Sequence, residues 1–341
     1  MTTKVQSWDN TLIAVYYPMA WIEYAREKGL PIQQMMHRCG MGDGKLTAST
    51  SILVRKFSQL LAEILLLTGN QGTGFEVGWR LPITAYGSIG QAMLSSNTAR
   101  DALNICSQYW RLIARGFDLS ISLHNHQCVL TLTLAVPVPQ PFRQVLFEST
   151  LASLYRGCVA LVPAAMDSIE VWLSGPEPAY STLLREKIPS ICFDRPATQI
   201  RFPAALLDQD LSLASATGLQ TALERCEEEL TALNLQDKMA QKVMEKLLCT
   251  EHGYPTLNEM AEQLNMSPRT LRRRLSAENT GYARLMEQSR QRNALKLLDN
   301  PRFSIADVAH RLGYGDMANF TRAFKKWTGT TPSGYRAYLK A

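Results

Sequence analysis

The sequence predicts two domains of different class: an α+β body, then an all-α C-terminal domain with two helix-turn-helix units joined by a linker helix. Three observations predict this. The run TLNEMAEQLNMSPRTLRRRL from Thr256 coincides with SIADVAHRLGYGDMANFTRAFKKW from Ser304 when slid by 48 residues, so one helical device occurs twice. Period-two alternation is found in the body, at 119–124 and 127–135. Charge is uneven: residues 251–341 carry 15 Lys+Arg against 8 Asp+Glu, and residues 1–250 carry 21 against 22.

The expected boundaries are a body over 1–218, a helical linker and candidate dimerisation segment over 219–252, and a C-terminal domain over 253–341. Within the body, 19–28 reads as a helix broken by Gly29-Leu30-Pro31 before a second helix at 32–39. Residues 50–68 form an amphipathic pattern with Ile52, Phe57, Leu60, Leu61, Ile64 and Leu65 inward. The glycine-rich run 69–78 invites a phosphate-cradling reading, but it lacks the Lys-Ser/Thr of a P-loop, and a surface turn is preferred. One helix is expected over 98–113. A hairpin follows at 119–124 and 127–135, turning at Asn125-His126. A helix at 142–162, a strand at 169–173 and a strand-turn-strand at 191–202 complete the α+β pattern.

Leu219, Leu223, Cys226, Leu230 and Leu233 line one side of a helix. This seam fits a partner chain in a homodimer or the body's own core, and fewer than three heptads leave both open. A second helix is expected at 235–249, and the tetrad 252–255 marks the domain boundary. DNA affinity is expected to reside from about Pro255 onward, in a fragment 250–341.

Each repeated unit has the parts of a helix-turn-helix. Thr256 with Glu259, and Ser304 with Asp307, fit capping boxes. Leu257, Met260, Ala261 and Leu264 share a face, as do Ile305, Val308, Ala309 and Leu312. Asn265 and Gly313 stand at the sharp turn, where positive φ is expected. Ser267 with Pro268 fits N-cap and N1 of the next helix, and Asp316 caps its counterpart. The first unit spans about 256–278, the linker helix 282–298 and the second unit about 304–328. In the second helix of each unit, Leu271, Leu275, Phe320, Phe324 and Trp327 face inward. That leaves Arg269, Thr270, Arg272, Arg273, Met317, Ala318, Thr321, Arg322 and Lys325 for double-stranded DNA. Arg suits guanine edges, while Thr and apolar side chains suit thymine methyls. A basic tail on a near-neutral body is the footprint of a chain whose tail alone meets phosphate.

The run S-I-A-D-V-A-x-R-L-G-Y-x-D-x-A-N-F-x-R-A-F-K-K-W-x-G-x-x-P-x-x-Y-R, from Ser304 to Arg336, resembles the AraC/XylS family of bacterial transcription regulators. S-P-R-T-L-R-R-R-L in the first unit fits the same family, although Arg274 stands where the family is often apolar. A-R-E-K-G-L near Arg26, L-L-x-x-T-G before Gly69, S-S-N-T near Ser95 and I-R-F-P-x-x-x-L-D near Arg201 resemble the subgroup with an arabinose-binding-like, ornithine-utilisation-type sensing domain. The resemblance implies a cytoplasmic DNA-binding regulator, leaning towards activation with RNA polymerase as partner, and no enzyme. Two readings of the body remain. One is a pocket for a small-molecule effector, with Arg55, Arg111 and Arg115 as candidate holders of a carboxylate. The other is an interaction module without an effector.

No catalytic, cofactor or metal site is predicted. His124-x-His126 flanks a turn and has no third ligand near in sequence. His37-Arg38-Cys39 has the wrong order for the Pro-Cys-His-Arg of an alkylation-repair cysteine. Seven scattered cysteines without C-x-x-C predict reduced thiols. The opening ten residues are polar, and the apolar run 60–67 is too short to span a bilayer.

Overall fold

The computed structural model describes residues 12–14, 16–41, 51–69, 71–114, 116–135, 138, 140–235, 239–247, 253–278 and 280–338. The body opens with β1 (Leu12–Ala14), α1 (Tyr16–Glu27), α2 (Ile32–Arg38), β2 (Ser51–Leu53) and α3 (Val54–Thr68). Trp21, Tyr24 and Ala25 recur at helical spacing on α1 and meet Phe57, Leu60, Leu61 and Ile64 of α3 in one apolar cluster. The helix expected from residue 50 starts at Val54, because 51–53 pairs antiparallel with β1.

The glycine-rich run is the clearest correction. It is not a surface turn from end to end: α4 (Thr73–Trp79) is a helix whose Gly74 and Gly78 are buried. A Cβ on Gly74 would stand 2.5 Å from the Val145 carbonyl oxygen, and one on Gly78 would stand closer still to that of Ser149. The two glycines, four residues apart on one face, let α4 lie backbone to backbone on a later helix.

Next come α5 (Ser88–Leu94), α6 (Ala99–Gln108) and α7 (Trp110–Ile113). Thr98 and Asp101 form a capping box on α6. The single helix expected over 98–113 breaks at Tyr109, whose phenol donates to Glu227 at 2.5 Å. The hairpin follows as β3 (Phe117–His124) and β4 (Gln127–Leu134), in register from Phe117–Leu134 to His124–Gln127. Asn125 and His126 take φ of 49° and 61°, as a two-residue turn requires. After α8 (Gln140–Leu161) come β5 (Glu170–Trp172), α9 (Ser181–Lys187), β6 (Ile191–Cys192) and β7 (Thr198–Pro203). The sheet order is β3-β4-β7-β5-β6, parallel at β5–β6 and otherwise antiparallel. Its inner face, with Cys128, Leu130, Leu132, Val171, Ile200 and Phe202, closes the main core against α5, α6 and α8.

The helix α10 (Ala216–Leu235) lies on α5. Ala222 and Cys226 are buried in the main core, and Leu219, Leu223 and Leu230 pack against it. The seam thus serves the body's own core; the side chain of Leu233 lies outside the described residues. The helix α11 (Met239–Lys246), expected within the linker segment, behaves differently. Met239, Val243 and Leu247 cluster with Met260, Leu271 and Leu275 of the first helix-turn-helix unit and with Leu285 of the linker helix. The boundary residue His252 lies outside the described residues, and Gly253 follows with φ 91°.

The C-terminal helices are α12 (Leu257–Gln263), α13 (Pro268–Ala277), α14 (Tyr282–Asp299), α15 (Ile305–Arg311), α16 (Met317–Thr328) and α17 (Pro332–Tyr338). The linker α14 runs about 27 Å at 1.5 Å per residue. It also docks on the outer face of the body's sheet. Arg292 of α14 faces Asp118 of β3 at 3.7 Å, and Ser122 of β3 donates to Asp299 of α14 at 3.1 Å. Ala197, just before β7, joins the apolar cluster of the second unit.

Among the described residues no helix is long and apolar enough to cross a membrane, and no group of three His, Cys, Asp or Glu is placed to hold a metal ion. The described cysteines are free thiols, and Cys249 lies outside the described residues.

Candidate nucleic-acid interface

Local chemistry sets the start of each helix in the two units. Thr256 Oγ1 accepts the N–H of Glu259 at 3.3 Å, and the Glu259 carboxylate accepts that of Thr256 at 2.6 Å. Ser304 and Asp307 repeat this at 3.0 and 2.7 Å. These bonds hold both acids below the usual carboxylate range. A cap of this kind stabilises its helix by about 1 kcal/mol, enough to fix where each one starts. At the turns Asn265 has φ 51° and Gly313 φ 73°, as the residue types predict. Ser267 then accepts the N–H of Thr270 at 3.1 Å, with Pro268 at N1, and Asp316 accepts that of Asn319 at 2.6 Å.

These starts aim the faces of α13 and α16. Leu271 and Leu275 are buried against α11, α12 and α14; Phe320 and Phe324 are buried against Val308, Ala309, Leu312 and Leu298. Trp327 is half-buried, its ring 6.4 Å from that of Tyr314 and its indole N–H 3.4 Å from Glu287.

The candidate reading residues fall on the opposite faces. Arg269, Arg272 and Arg273 are exposed, no ion pair holds any of them among the described residues, and Arg274 is exposed beside them. Thr270 is half-buried with its hydroxyl 2.9 Å from that of Ser267, so the cap engages it. On α16, Met317 is 53% exposed, an unusual setting for a large apolar side chain, and Ala318 and Lys325 are exposed with it. Thr321 is half-buried. Arg322 donates at 2.7 Å to Asn319, which Asp316 anchors. The structure thus makes two outward patches, one cationic and one mixed.

Residues that the sequence reading missed lie behind the second patch. Tyr335 of α17 is fully buried, packs edge-on against Phe324 at 5.9 Å and donates to Asp299 at 2.5 Å. Burial pushes Asp299 up to about 6 against the opposing pull of Tyr335, Ser122 and Arg201. Arg336 donates to the carbonyls of Leu298, Asn300 and Phe303, clasping the turn between α14 and α15. Arg290 reaches the Gly313 carbonyl at 3.3 Å and lies over the Tyr314 ring. No local pattern announces these contacts, whose partners are distant in sequence.

Of the three arginines proposed for an effector, the two described ones stand on different helices, α3 and α7. Arg55 is exposed on α3, Arg111 is ion-paired with Glu245 of α11, and Arg115 lies outside the described residues. A cavity of about 50 Å³ in the body is lined by apolar groups, among them Leu103, Cys158, Val162 and Phe202. Among the described residues of the body the buried acid is Glu148 on α8, 1% exposed, which accepts from Gln144 at 2.9 Å and from Tyr180 at 2.9 and 3.2 Å. No cation faces it among the described residues, and burial pushes it up to about 7.

Residues 29–211 match the family described as the arabinose-binding domain of AraC transcription regulator, N-terminal. The chain belongs to the AraC family of transcription regulators. Residues 260–338 match a helix-turn-helix domain. An ornithine utilization regulator of Pseudomonas aeruginosa is 28% identical over 327 residues, which cover 95% of this chain and 96% of that protein. An uncharacterized HTH-type transcriptional regulator of Mycobacterium tuberculosis is 28% identical over 332 residues, 94% of this chain and 95% of its own. Among solved structures, the transcriptional regulator CdpR from Pseudomonas aeruginosa gives a TM-score of 0.43 at 25% identity, covering 82% of this chain and 91% of that one. The two sequence relatives are named as regulators, and the family places this chain among DNA-binding transcription regulators rather than enzymes.

Proposed function

We propose that this family member is a transcription activator in which α13 and α16 of one chain read two consecutive major-groove segments. The observation that carries the reading is the pair of outward patches on two capped units held by one continuous linker helix. A strut of about 27 Å suits recognition helices set about one DNA turn, roughly 34 Å, apart. Arg269, Arg272 and Arg273 supply cationic donors, whereas Met317, Ala318 and Thr321 supply methyl and shape contacts and Arg322 and Lys325 supply charge. Thr270 serves through its cap. The test is selection of duplexes from a random pool by the full-length protein, followed by footprinting. Two protected segments one turn apart support the reading, and a single short segment overturns it.

Control by a small effector in the body is part of the proposal, with a homodimer and RNA polymerase as partners in the cytoplasm. Its support is the family match over 29–211 and a relative named for ornithine utilization. Glu148 is a buried carboxyl of this body that no cation faces among the described residues, and it suits a ligand's cationic end. The measurement is affinity for the selected duplex at fixed salt, with and without ornithine or a metabolite that co-purifies with the protein. Unchanged affinity and transcription output at saturation leave the second reading, a body that acts as an interaction module. Leu66 and Leu67, 83% and 54% exposed at the end of α3, favour that reading.

A further inference from the structure

The outer face of the body's sheet carries Asp118, Ser122, Thr131, Gln199 and Arg201, residues that alternate with the apolar inner row. Such a face normally meets water, yet Thr131 and Gln199 are 1% and 0% exposed, because the DNA-binding domain covers them. The Gln199 amide is fully engaged. Its NH₂ donates to Thr131 at 3.0 Å and to the Tyr335 oxygen at 2.9 Å, and its carbonyl accepts from Arg201 at 2.9 Å. Tyr335 in turn donates to Asp299, whose other oxygen accepts from Ser122. The Tyr335 ring itself packs edge-on against Phe324 on α16. From the central strands of the body to the second recognition helix the path is therefore one hydrogen bond and one ring contact. An apolar interface tolerates sliding; a closed set of buried hydrogen bonds holds one register and loses partners in any other.

We infer that Gln199, Tyr335 and Asp299 are positioning residues for DNA reading, which fix the orientation of α16 to the body and transmit movement of β4 and β7 to it. All three are buried, so none touches DNA. The inference stands apart from the effector reading, because it concerns the route and not the agent that moves the body. The sheet face makes the direct contact with the second unit, whereas α10 serves the body's core.

The test uses the full-length protein and a duplex selected from a random pool by the unmodified chain. Gln199→Leu removes the amide at similar size, and Tyr335→Phe removes the hydroxyl while keeping the ring on Phe324. Each is expected to lower affinity at least fivefold and to speed amide hydrogen exchange across 317–328, with exchange in the body helices unchanged. The double variant is expected to lose less than the product of the two single losses, since both remove the Gln199–Tyr335 bond. If Tyr335→Phe folds poorly, Ser122→Ala takes its place as a milder change to the same cluster. Affinity and exchange within twofold of the unmodified protein for Gln199→Leu overturn the inference. So do losses that multiply in the double variant, which mark independent packing. A gain in affinity overturns it too, because the contact would then hold α16 away from DNA.

Discussion

The carboxylate of Glu278, at the end of α13, accepts the backbone N–H of Met239 at 2.7 Å and that of Ala240 at 2.9 Å. The first helix-turn-helix unit thereby caps α11, and α11 returns Met239, Val243 and Leu247 to the unit's core. Ser289 of α14 closes the other end on the Leu247 carbonyl at 2.9 Å. Each buried aliphatic side chain contributes about 1.5–3 kcal/mol. A fragment starting at 250 therefore lacks several kcal/mol that a fragment starting at 236 retains. The expected outcome is cooperative melting and DNA binding for 236–341, and at least tenfold weaker binding for 250–341. Equal melting temperatures and affinities would show that α11 is dispensable.

Gly78→Ala tests the crossing of α4 and α8. The new Cβ would overlap the Ser149 carbonyl, which is backbone and cannot rotate away. Overpacking of this kind costs about 1–3 kcal/mol, and here the whole helix must move. Urea unfolding of the full chain is expected to show a lower midpoint, whereas Gly175→Ala, with open space around it, leaves the midpoint unchanged.

The parts legible in the sequence are those whose physics is local. Thr256 with Glu259, Asn265, Ser267 with Pro268, and their counterparts 48 residues later declare caps and turns within a few residues. The hairpin at Asn125-His126 is legible for the same reason. What sequence alone does not carry is which partner covers a face. Ser122, Thr131 and Gln199 alternate as solvent residues do, and their burial depends on Asp299 and Tyr335, more than a hundred residues on. Gly74 and Gly78 show the same limit: without side chains they leave no periodic apolar mark, and their role lies in the neighbour they admit. Val243 and its neighbours read as helix, and nothing local assigns them to one domain or the other.

Glu148 makes stability depend on pH in a definite sense. Its folded pKa, about 7, lies above the ordinary 4.5, because burial outweighs the bonds from Gln144 and Tyr180. The folded state therefore holds the proton more tightly than the unfolded one. The stability linked to this group is fully present below 4.5 and is lost as pH rises through 7. A difference of about 2.5 units corresponds to roughly 3 kcal/mol between pH 4.5 and 8. Glu148→Gln is expected to be neutral or mildly destabilising at pH 5, stabilising at pH 8, and flatter in between. Chemical unfolding at several pH values checks this; parallel curves for the two proteins would refute it.

The two patches should fail differently when truncated. Arg273 stands exposed on α13 with no ion pair among the described residues, whereas Arg322 on α16 is already bonded to Asn319. A base-reading Arg makes two parallel bonds to one guanine edge, so its loss costs about 1–3 kcal/mol and relaxes preference at one position. A phosphate-binding Arg is lost at nearly equal cost on every sequence and lowers the salt slope by about one. Arg273→Ala is expected to show the first pattern, because it projects from the middle of α13 on the face opposite the buried Leu271 and Leu275. Arg322→Ala is expected to cost less, since its donor must first leave Asn319. The measurement is affinity of each variant for the selected duplex and for single-position changes of it, at two salt concentrations. Uniform weakening by Arg273→Ala across all duplexes with a shallower salt slope would assign that residue to the backbone and move base reading to Arg269 or Arg272.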